Sequence, residues 1–447
     1  MPVHKSILLV TAFLLLFSGS ISAQIITTVA GAWGDTACVD CPATACGLGF
    51  PYFVAAGIDN SFYFTDGSEI HRVNDAGIIS TIAGSNSISG YSGDNGPASA
   101  AKLNTPWGLV IDGSGNLYFA DAGNACVRKI DTSGIITTVA GTGGTSGFGG
   151  DNGPATAALM NWPTGVATDK NGNLFISDEY GHHLRKVSAL GIISTLAGLD
   201  SPGFSGDGGP ATAAEIDHPV GIAVDTEGNV FFADSHNNRV RKINVAGIIT
   251  TIAGCDSGIS YADNIPATTA QLASPMGIAA DNYGNVFIAD QYNNQIRKVN
   301  AAGIISTAAG FGIHGFSGDT GPAKYAFLAA PYDVCLDSRG GFYITDQDNG
   351  RIRYVNNTLA TPEINECGAK LSLYPDPSFG SFTITIESVI PEDALVTITN
   401  VMGQEVQRYY ERTNTTISIT PEVDQGLYFV SAHTHDGVVT ERILIMK

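Results

Sequence analysis

The sequence predicts an all-β chain: a six-bladed β-propeller followed by a small β-sandwich. Three observations predict it. A segment of the form "IITTVAG" recurs at 25–31, 77–84, 134–141, 191–198, 247–254 and 303–310. Its closing glycines step by 53, 57, 57, 56 and 56 residues, and a fixed period of that size signals a repeat architecture. Beyond residue 370 the repeat stops, and alternating β-prone runs punctuated by Gly and Pro take over.

Within a unit such as "HPVGIAVDTEGNVFFADSHNNRVRKINVAGIITTIAG" (218–254), four strands follow one another. "GIAVD" alternates, "DTEGN" is a tight turn, and "VFFAD", "RVRKI" and "AGIITTIAG" supply three more β-rich runs. Four short strands per unit read as one propeller blade. First strands begin at Tyr52, Trp107, Thr164, Val220, Met276 and Tyr332. Only five fourth strands follow them, because "RIRYVNN" (351–357) runs into "TLATPEINECG". The missing sixth is the opening segment 25–31, which then closes the last blade and removes the open edges of the ring.

The ends follow a different logic. Lys5, the apolar "ILLVTAFLLLF" (7–17) and the small residues up to Ala23 read as a secretory signal peptide over 1–23. The predicted domains are 1–23 signal, 24–357 propeller, 358–370 linker and 371–447 sandwich. Acidic residues outnumber basic ones 42 to 22; loss of Lys5 takes the formal charge from −20 to near −21. That balance argues against nucleic acid and anionic lipid as partners. No later run is long enough for an apolar span, so an integral membrane protein is not expected. Seven cysteines are few for this length. Cys38, Cys41 and Cys46 cluster without a second C-x-x-C or a nearby histidine, so a local disulfide is preferred to zinc. Cys335 falls in an inner strand and reads as a buried thiol.

The text "GFSGDGGPATAAEIDHPVGIAVDTEGNVFFADSHNNRVRKI" (203–243) resembles the NHL-repeat family of β-propellers, and the likeness runs over 25–357. After the linker, "LSLYPDPSFGSFTITI", "VTITNVMGQEV", "GLYFVSA" and "ERILIMK" resemble a type IX secretion (Por) C-terminal sorting domain. Tyr374-Pro375-Asp376-Pro377 stands where that family has Tyr-Pro-Asn-Pro, and Gly380, Phe382, Gly403 and Gly426-Leu427-Tyr428 keep its pattern. The resemblance implies an Ig-like sandwich of about seven strands. It also implies handling by the type IX machinery through residues 371–447, and a secreted or cell-surface location in a Gram-negative bacterium.

Four sets of residues could carry chemistry. An Asp/Arg register seven residues apart joins Asp121 to Arg128, Asp178 to Arg185, Asp234 to Arg241, Asp290 to Arg297 and Asp346 to Arg353; Asp66 and Arg72 are six apart. Present in every unit, it reads as a structural ion pair across the second hairpin, with a charged ligand collar as the alternative. The turns at Asp112, Asp169, Asp225 and Asp281 carry oxygen-rich spacing but read as self-capped hairpins, not calcium loops. The loops between units hold "GDxGPA", which reads as an Asp capping a short helix. Finally Tyr52, Trp107, Thr164, Val220, Met276 and Tyr332 should ring the channel mouth, beside the tips of the second hairpins, where a glycan or an extracellular protein could dock. Phe50, Trp162 and His218 precede the same prolines.

For catalysis, the resemblance implies that some relatives hold a metal in the channel, on histidines that follow that proline. None of the six positions is His here. His182, His183, His236 and His314 show no repeated spacing. The expected function is a non-catalytic binding module with no cofactor, calcium or zinc being the exceptions to look for. The alternative is a metal-dependent lyase or hydrolase in the channel.

Overall fold

The computed structural model describes residues 24–32, 40–85, 88–256, 262–356, 370–374, 378, 381–387, 393–400, 404–434 and 437–445. The expected signal peptide, Cys38, Cys367, most of the linker, and Pro375, Asp376, Pro377, Gly380 and Gly403 lie outside them. The chain divides into two compact units, Met1–Leu359 and Ala360–Lys447. Among the described residues, no helix is long and apolar enough to cross a membrane.

The first unit holds six antiparallel sheets. In chain order their innermost strands are Pro51–Ala56, Pro106–Ile111, Pro163–Thr168, Pro219–Val224, Pro275–Ala280 and Pro331–Leu336. Each packs against the next, and the sixth packs against the first, so these strands form a closed ring. Between sheets lies an apolar filling to which the second strands contribute Phe64, Phe119, Ile176, Phe232, Ile288 and Ile344, all fully buried. Burying one such side chain contributes about 1.5–3 kcal/mol.

The opening segment sits where the count of strands requires it. Ile26–Ala30 pairs antiparallel with Arg351–Val355, as the outermost strand of the sixth sheet. The motif explains itself there. Ile26 and Ala30 point inward and are fully buried, with a bulge between Thr28 and Ala30 bringing both to one face. Gly31 then takes φ +99° against the carbonyl of Gly350, where a Cβ would lie 2.3 Å from that oxygen. The same bulge and glycine recur, as at Thr138–Ala140 and Gly141.

The Gly-Pro-Ala segments have a job that the sequence reading missed. Each lies along the fourth strand of the sheet that follows it, as in the bridges Pro97 to Ile135, Pro154 to Ile192 and Pro210 to Ile248. In the first and fifth sheets the pairing lengthens into a fifth strand, Cys41–Pro42 and Ile265–Pro266. Outer edges are thereby covered. The Ala residues after Pro form one 3-10 turn, with Pro at the cap and no side-chain cap bond. The expected Asp-capped helix is therefore corrected: the Asp of "GDxGPA" serves an arginine instead.

That arginine is the hub of five of the six sheets. Arg241 is fully buried. Its Nη2 donates to Asp207 Oδ1 at 2.7 Å and to the Ser205 carbonyl; its Nη1 donates to the Glu215 carbonyl and, at 3.5 Å, to Asp234. Asp207 also accepts from the Thr251 backbone N–H in the fourth strand, so one guanidinium ties loop, second strand and fourth strand together. The Phe204 ring covers it at 4.9 Å. Arg128 with Asp94 and Tyr91, Arg185 with Asp151 and Phe148, and Arg353 with Asp319 and Phe316 repeat the node.

The predicted partners fare unevenly. Asp121, Asp234 and Asp346 touch their arginines at 3.5, 3.5 and 3.2 Å. Asp178 and Asp290 make no such bond, although the nearby charges of Arg185 and Arg297 partly offset their burial. Asp66 and Arg72 do not pair. The first unit's turn is two residues shorter, so Phe64 faces His71 where Phe119 faces Arg128. His71 takes the hub position, and Arg72 turns outward to Asp59 at 2.6 Å. The turn aspartates do cap themselves. Asp225 Oδ1 accepts from the Glu227 and Asn229 N–H groups, and Oδ2 from the Asn229 side chain. Asp112, Asp169 and Asp281 repeat this, which occupies the oxygens a calcium ion would need.

In the second unit, sheets of three and four strands share one core. Phe382, Ile384 and Ile386 of one pack with Ala394, Val396, Ile398, Val430 and Ile443 of the other. Alternate residues point inward, as strands with one wet face require.

Candidate functional site

The six residues that start the inner strands converge at one end of the ring. Tyr52 stacks on Trp107 at 5.3 Å, and Tyr332 meets both edge-on at 5.4 and 5.6 Å. Phe53 wedges below, 5.6 Å from Tyr332. Thr164, Val220 and Tyr332 are 0%, 2% and 4% exposed, so they form the floor of the mouth; Tyr52, Trp107 and Met276 remain half-buried above it. Thr164 spends its hydroxyl on the Pro219 carbonyl.

A second tier comes from the residue directly after the second-strand Asp in the second to sixth sheets: Ala122, Glu179, Ser235, Gln291 and Gln347, all buried. Ser235 Oγ donates to the Pro275 carbonyl of the next sheet at 2.6 Å. Glu179 lies close enough to Tyr332 to raise its pKa, after burial itself, and burial pushes the Glu179 carboxyl up to about 7. One Glu179 oxygen and the indole N–H groups of Trp107 and Trp162 are buried without a hydrogen-bond partner among the described residues. Trp162 stands edge-on to Trp107 at 6.3 Å and stacks on Tyr180, which is 48% exposed. The sequence signal for this tier was available as the variable residue after each repeated Asp.

Beside this face, between the third and fourth sheets, three imidazoles gather on one carboxylate. Asp217 Oδ1 lies 2.6 Å from His218 Nδ1, 3.5 Å from His182 Nδ1 and 3.8 Å from His236 Nδ1. His218 and His236 stack at 3.8 Å. Burial and the neighbouring His218 hold His182 and His236 below the usual imidazole range, which favours their neutral forms. The sequence reading left His182 and His236 as scattered tip residues; the ring brings them together with His218. His183 instead stacks on Phe148, and His314 pairs with Asp348.

Under the floor runs the axial cavity, about 220 Å³, lined by all six inner strands. Gly108, Gly165 and Gly221 let neighbouring strands approach; a Cβ on Gly165 would lie 2.2 Å from the Val220 carbonyl oxygen. Asp333 is the one carboxylate in the lining. Its Oδ2 accepts from the Val54 N–H at 3.0 Å, joining sixth sheet to first. Cys335 also lines the cavity and is partly exposed, not the buried thiol expected; burial within the ring still raises its pKa to about 12. One carboxylate already bonded to backbone and one protonated thiol do not form a metal cage. The channel therefore does not fit the metal that the lyase-like resemblance implies.

Burial raises the Asp333 carboxyl to about 8. A folded pKa above the unfolded value means the folded state keeps a proton that the unfolded chain releases. The stabilisation is full below about pH 4 and is lost as pH rises toward 8. Melting temperature is expected to fall from pH 5 to pH 8.5, and Asp333→Asn to flatten that slope. An unchanged slope in the variant would mean that Asp333 does not titrate in this window.

Comparison with known proteins agrees with the geometry. Residues 88–148, 201–262 and 258–315 match the family model of the teneurin NHL domain, and residues 372–446 match the secretion system C-terminal sorting domain. The chain is an NHL-repeat protein with a C-terminal secretion sorting domain. Human Teneurin-1 is 28% identical over 366 residues, covering 73% of this chain but only 13% of the teneurin. A Bacteroides thetaiotaomicron protein of unknown function superposes on the NHL protein with TM-score 0.57 at 18% identity, over 75% of this chain and 76% of that one. An auxiliary nutrient binding protein from the same species gives 0.55 at 14% identity, over 74% and 76%. At such identities the likeness is one of fold. The sorting domain marks this NHL protein for secretion.

Proposed function

We propose that the six sheets are the blades of an NHL propeller that acts outside the cell as a non-catalytic binding module, for an extracellular protein or glycan. Type IX export would be directed by the Ig-like sandwich of residues 371–447. The observation that carries this reading is the mouth. Tyr52 and Tyr180 offer flat faces, with Trp107 and Trp162 stacked against them, above a floor closed by Thr164, Val220 and Tyr332. Stacking faces with a few fixed polar atoms suit a sugar ring or an aromatic-rich loop. A closed floor and a channel without a ligand cage favour docking over turnover.

The test is a panel of soluble oligosaccharides and extracellular proteins screened against the purified chain by surface plasmon resonance. The leading ligand is expected to lose about threefold to tenfold in affinity with Trp162→Ala or Tyr180→Ala, since an aromatic stack contributes about 0.5–1.5 kcal/mol. Equal affinity in both variants would remove the mouth as the binding site.

A further inference from the structure

We propose that Asp217, His182, His218 and His236 form a binding site for one divalent transition metal of the zinc class, on the rim between the third and fourth sheets. The first argument is convergence. One ligand atom each from His182, Asp217 and His218 lie within 4.8 Å of one another. The Nδ1 atoms of the three histidines stand 2.6–3.8 Å from Asp217 Oδ1. Tetrahedral ligands held about 2.1 Å from zinc are about 3.4 Å apart, so modest side-chain rotations convert the hydrogen-bonded cluster into a coordination shell. Three imidazoles and one carboxylate favour zinc, nickel or copper over calcium or magnesium.

The second argument is that the fold does not need histidine or aspartate at these positions. His182 accepts from the His218 backbone N–H at 3.3 Å. In the next two units an asparagine does the same work: Asn238 accepts from the Ser274 N–H at 2.8 Å, and Asn294 from the Ala330 N–H at 3.0 Å. Asp217 contributes its backbone N–H to Asp234, a bond that Asn104, Asn161, Ala273 and Ala329 make equally well to their own aspartates. His236 stands where other units have Gly123, Tyr180, Tyr292 and Asp348. Four ligating residues thus occupy positions on which the repeat imposes no identity, and all four fall at one junction. The left-handed φ of 49° at His218 recurs at Thr105, Trp162, Ser274 and Ala330 and so belongs to the repeat, while the His218 ring itself faces the carboxylate.

This site borders the mouth, where His218 meets Tyr180 edge-on at 5.5 Å, but its metal titration needs no docked ligand. The experiment is titration of the full chain with Zn²⁺ by calorimetry and with Co²⁺ by visible absorption. One equivalent is expected at micromolar affinity or better, with a melting temperature that rises with metal. The cobalt spectrum should be tetrahedral without thiolate charge transfer, which separates this site from the cysteines. His182→Asn retains the backbone bond by the precedent of Asn238 and Asn294, so it tests the ligand and not the fold. It should weaken binding at least tenfold, and His218→Ala should abolish it. No saturable binding, binding equal in His182→Asn, or a cobalt spectrum with thiolate bands would each overturn the proposal.

Discussion

Arg241→Met is expected to lower the unfolding free energy of the ring by about 3–5 kcal/mol, the usual result of leaving a buried charge without its partner. Arg241 is fully buried and donates to two carboxylates and two carbonyl oxygens. Methionine fills much of the volume but supplies no donor. Asp234, also fully buried, would lose its cation; burial already raises it to about 6 against the pull of Arg241. The variant should therefore take up a proton at Asp234 near neutral pH, and two backbone carbonyls would lose a partner. Arg241→Lys should recover only part of the loss, because one ammonium cannot span four acceptors in a fixed plane. Phe204→Ala removes the ring above the guanidinium and should cost about 1 kcal/mol. Urea unfolding of the three variants measures these differences. A loss under 1 kcal/mol for Arg241→Met would mean that the node is not what joins loop to sheet.

How far this node could be read in the sequence shows where periodic reasoning works. The seven-residue spacing from Asp234 to Arg241 was visible because both lie on one hairpin, where sequence distance fixes spatial distance. The stronger partner, Asp207, stands thirty-four positions upstream, across a loop whose path no local rule supplies. In the sequence it stands inside "GDxGPA", where the nearest structure it could serve is a helix start. The aromatic three places before it was left without a role for the same reason. In the first unit, counting from Asp66 selected Arg72, because the shortened turn shifts the register and His71 takes the inner position. Ring closure, by contrast, followed from counting strands. At the mouth, repeat position places the first-strand residues, but it does not single out Glu179 or join His182, His218 and His236 to Asp217. Their signal was not a repeated residue but a departure from the repeat, visible only once aligned positions are known to be neighbours in space.

Removing residues 24–31 is expected to abolish the cooperative unfolding of the ring, and this is the largest effect foreseen. Besides the packing of Phe62 on Tyr343 at 4.7 Å, three hydrogen bonds join the sixth sheet to the first: Asp333 Oδ2 accepts from the Val54 N–H at 3.0 Å, Cys335 Sγ accepts from the Ala56 N–H at 3.4 Å, and Thr345 Oγ1 donates to the Tyr52 carbonyl at 2.9 Å. Each such bond contributes about 1 kcal/mol net, too little to hold a six-sheet ring. The opening strand brings much more. It buries Ile26 and Ala30 completely and supplies a whole ladder to Arg351–Val355. On its other side, the Ile26 N–H donates to the Gly321 carbonyl, and the Thr320 and Ala323 N–H groups donate to the Ile26 and Gln24 carbonyls. Thr28 Oγ1 adds a bond to Asp319 at 2.7 Å, reaching the Arg353 node itself. Without the strand, two rows of backbone groups lie unpaired and face each other across a gap, a template for self-association. The truncated chain should therefore melt at lower temperature, elute as oligomers, and regain its monomeric state when a peptide of residues 24–32 is added. Ile26→Ala in the intact chain should cost about 2–4 kcal/mol without opening the ring, which separates loss of packing from loss of the strand. A truncated chain that stays monomeric and melts where the intact one does would show that the inner strands alone hold the circle, and that the repeated segment 25–31 has another purpose.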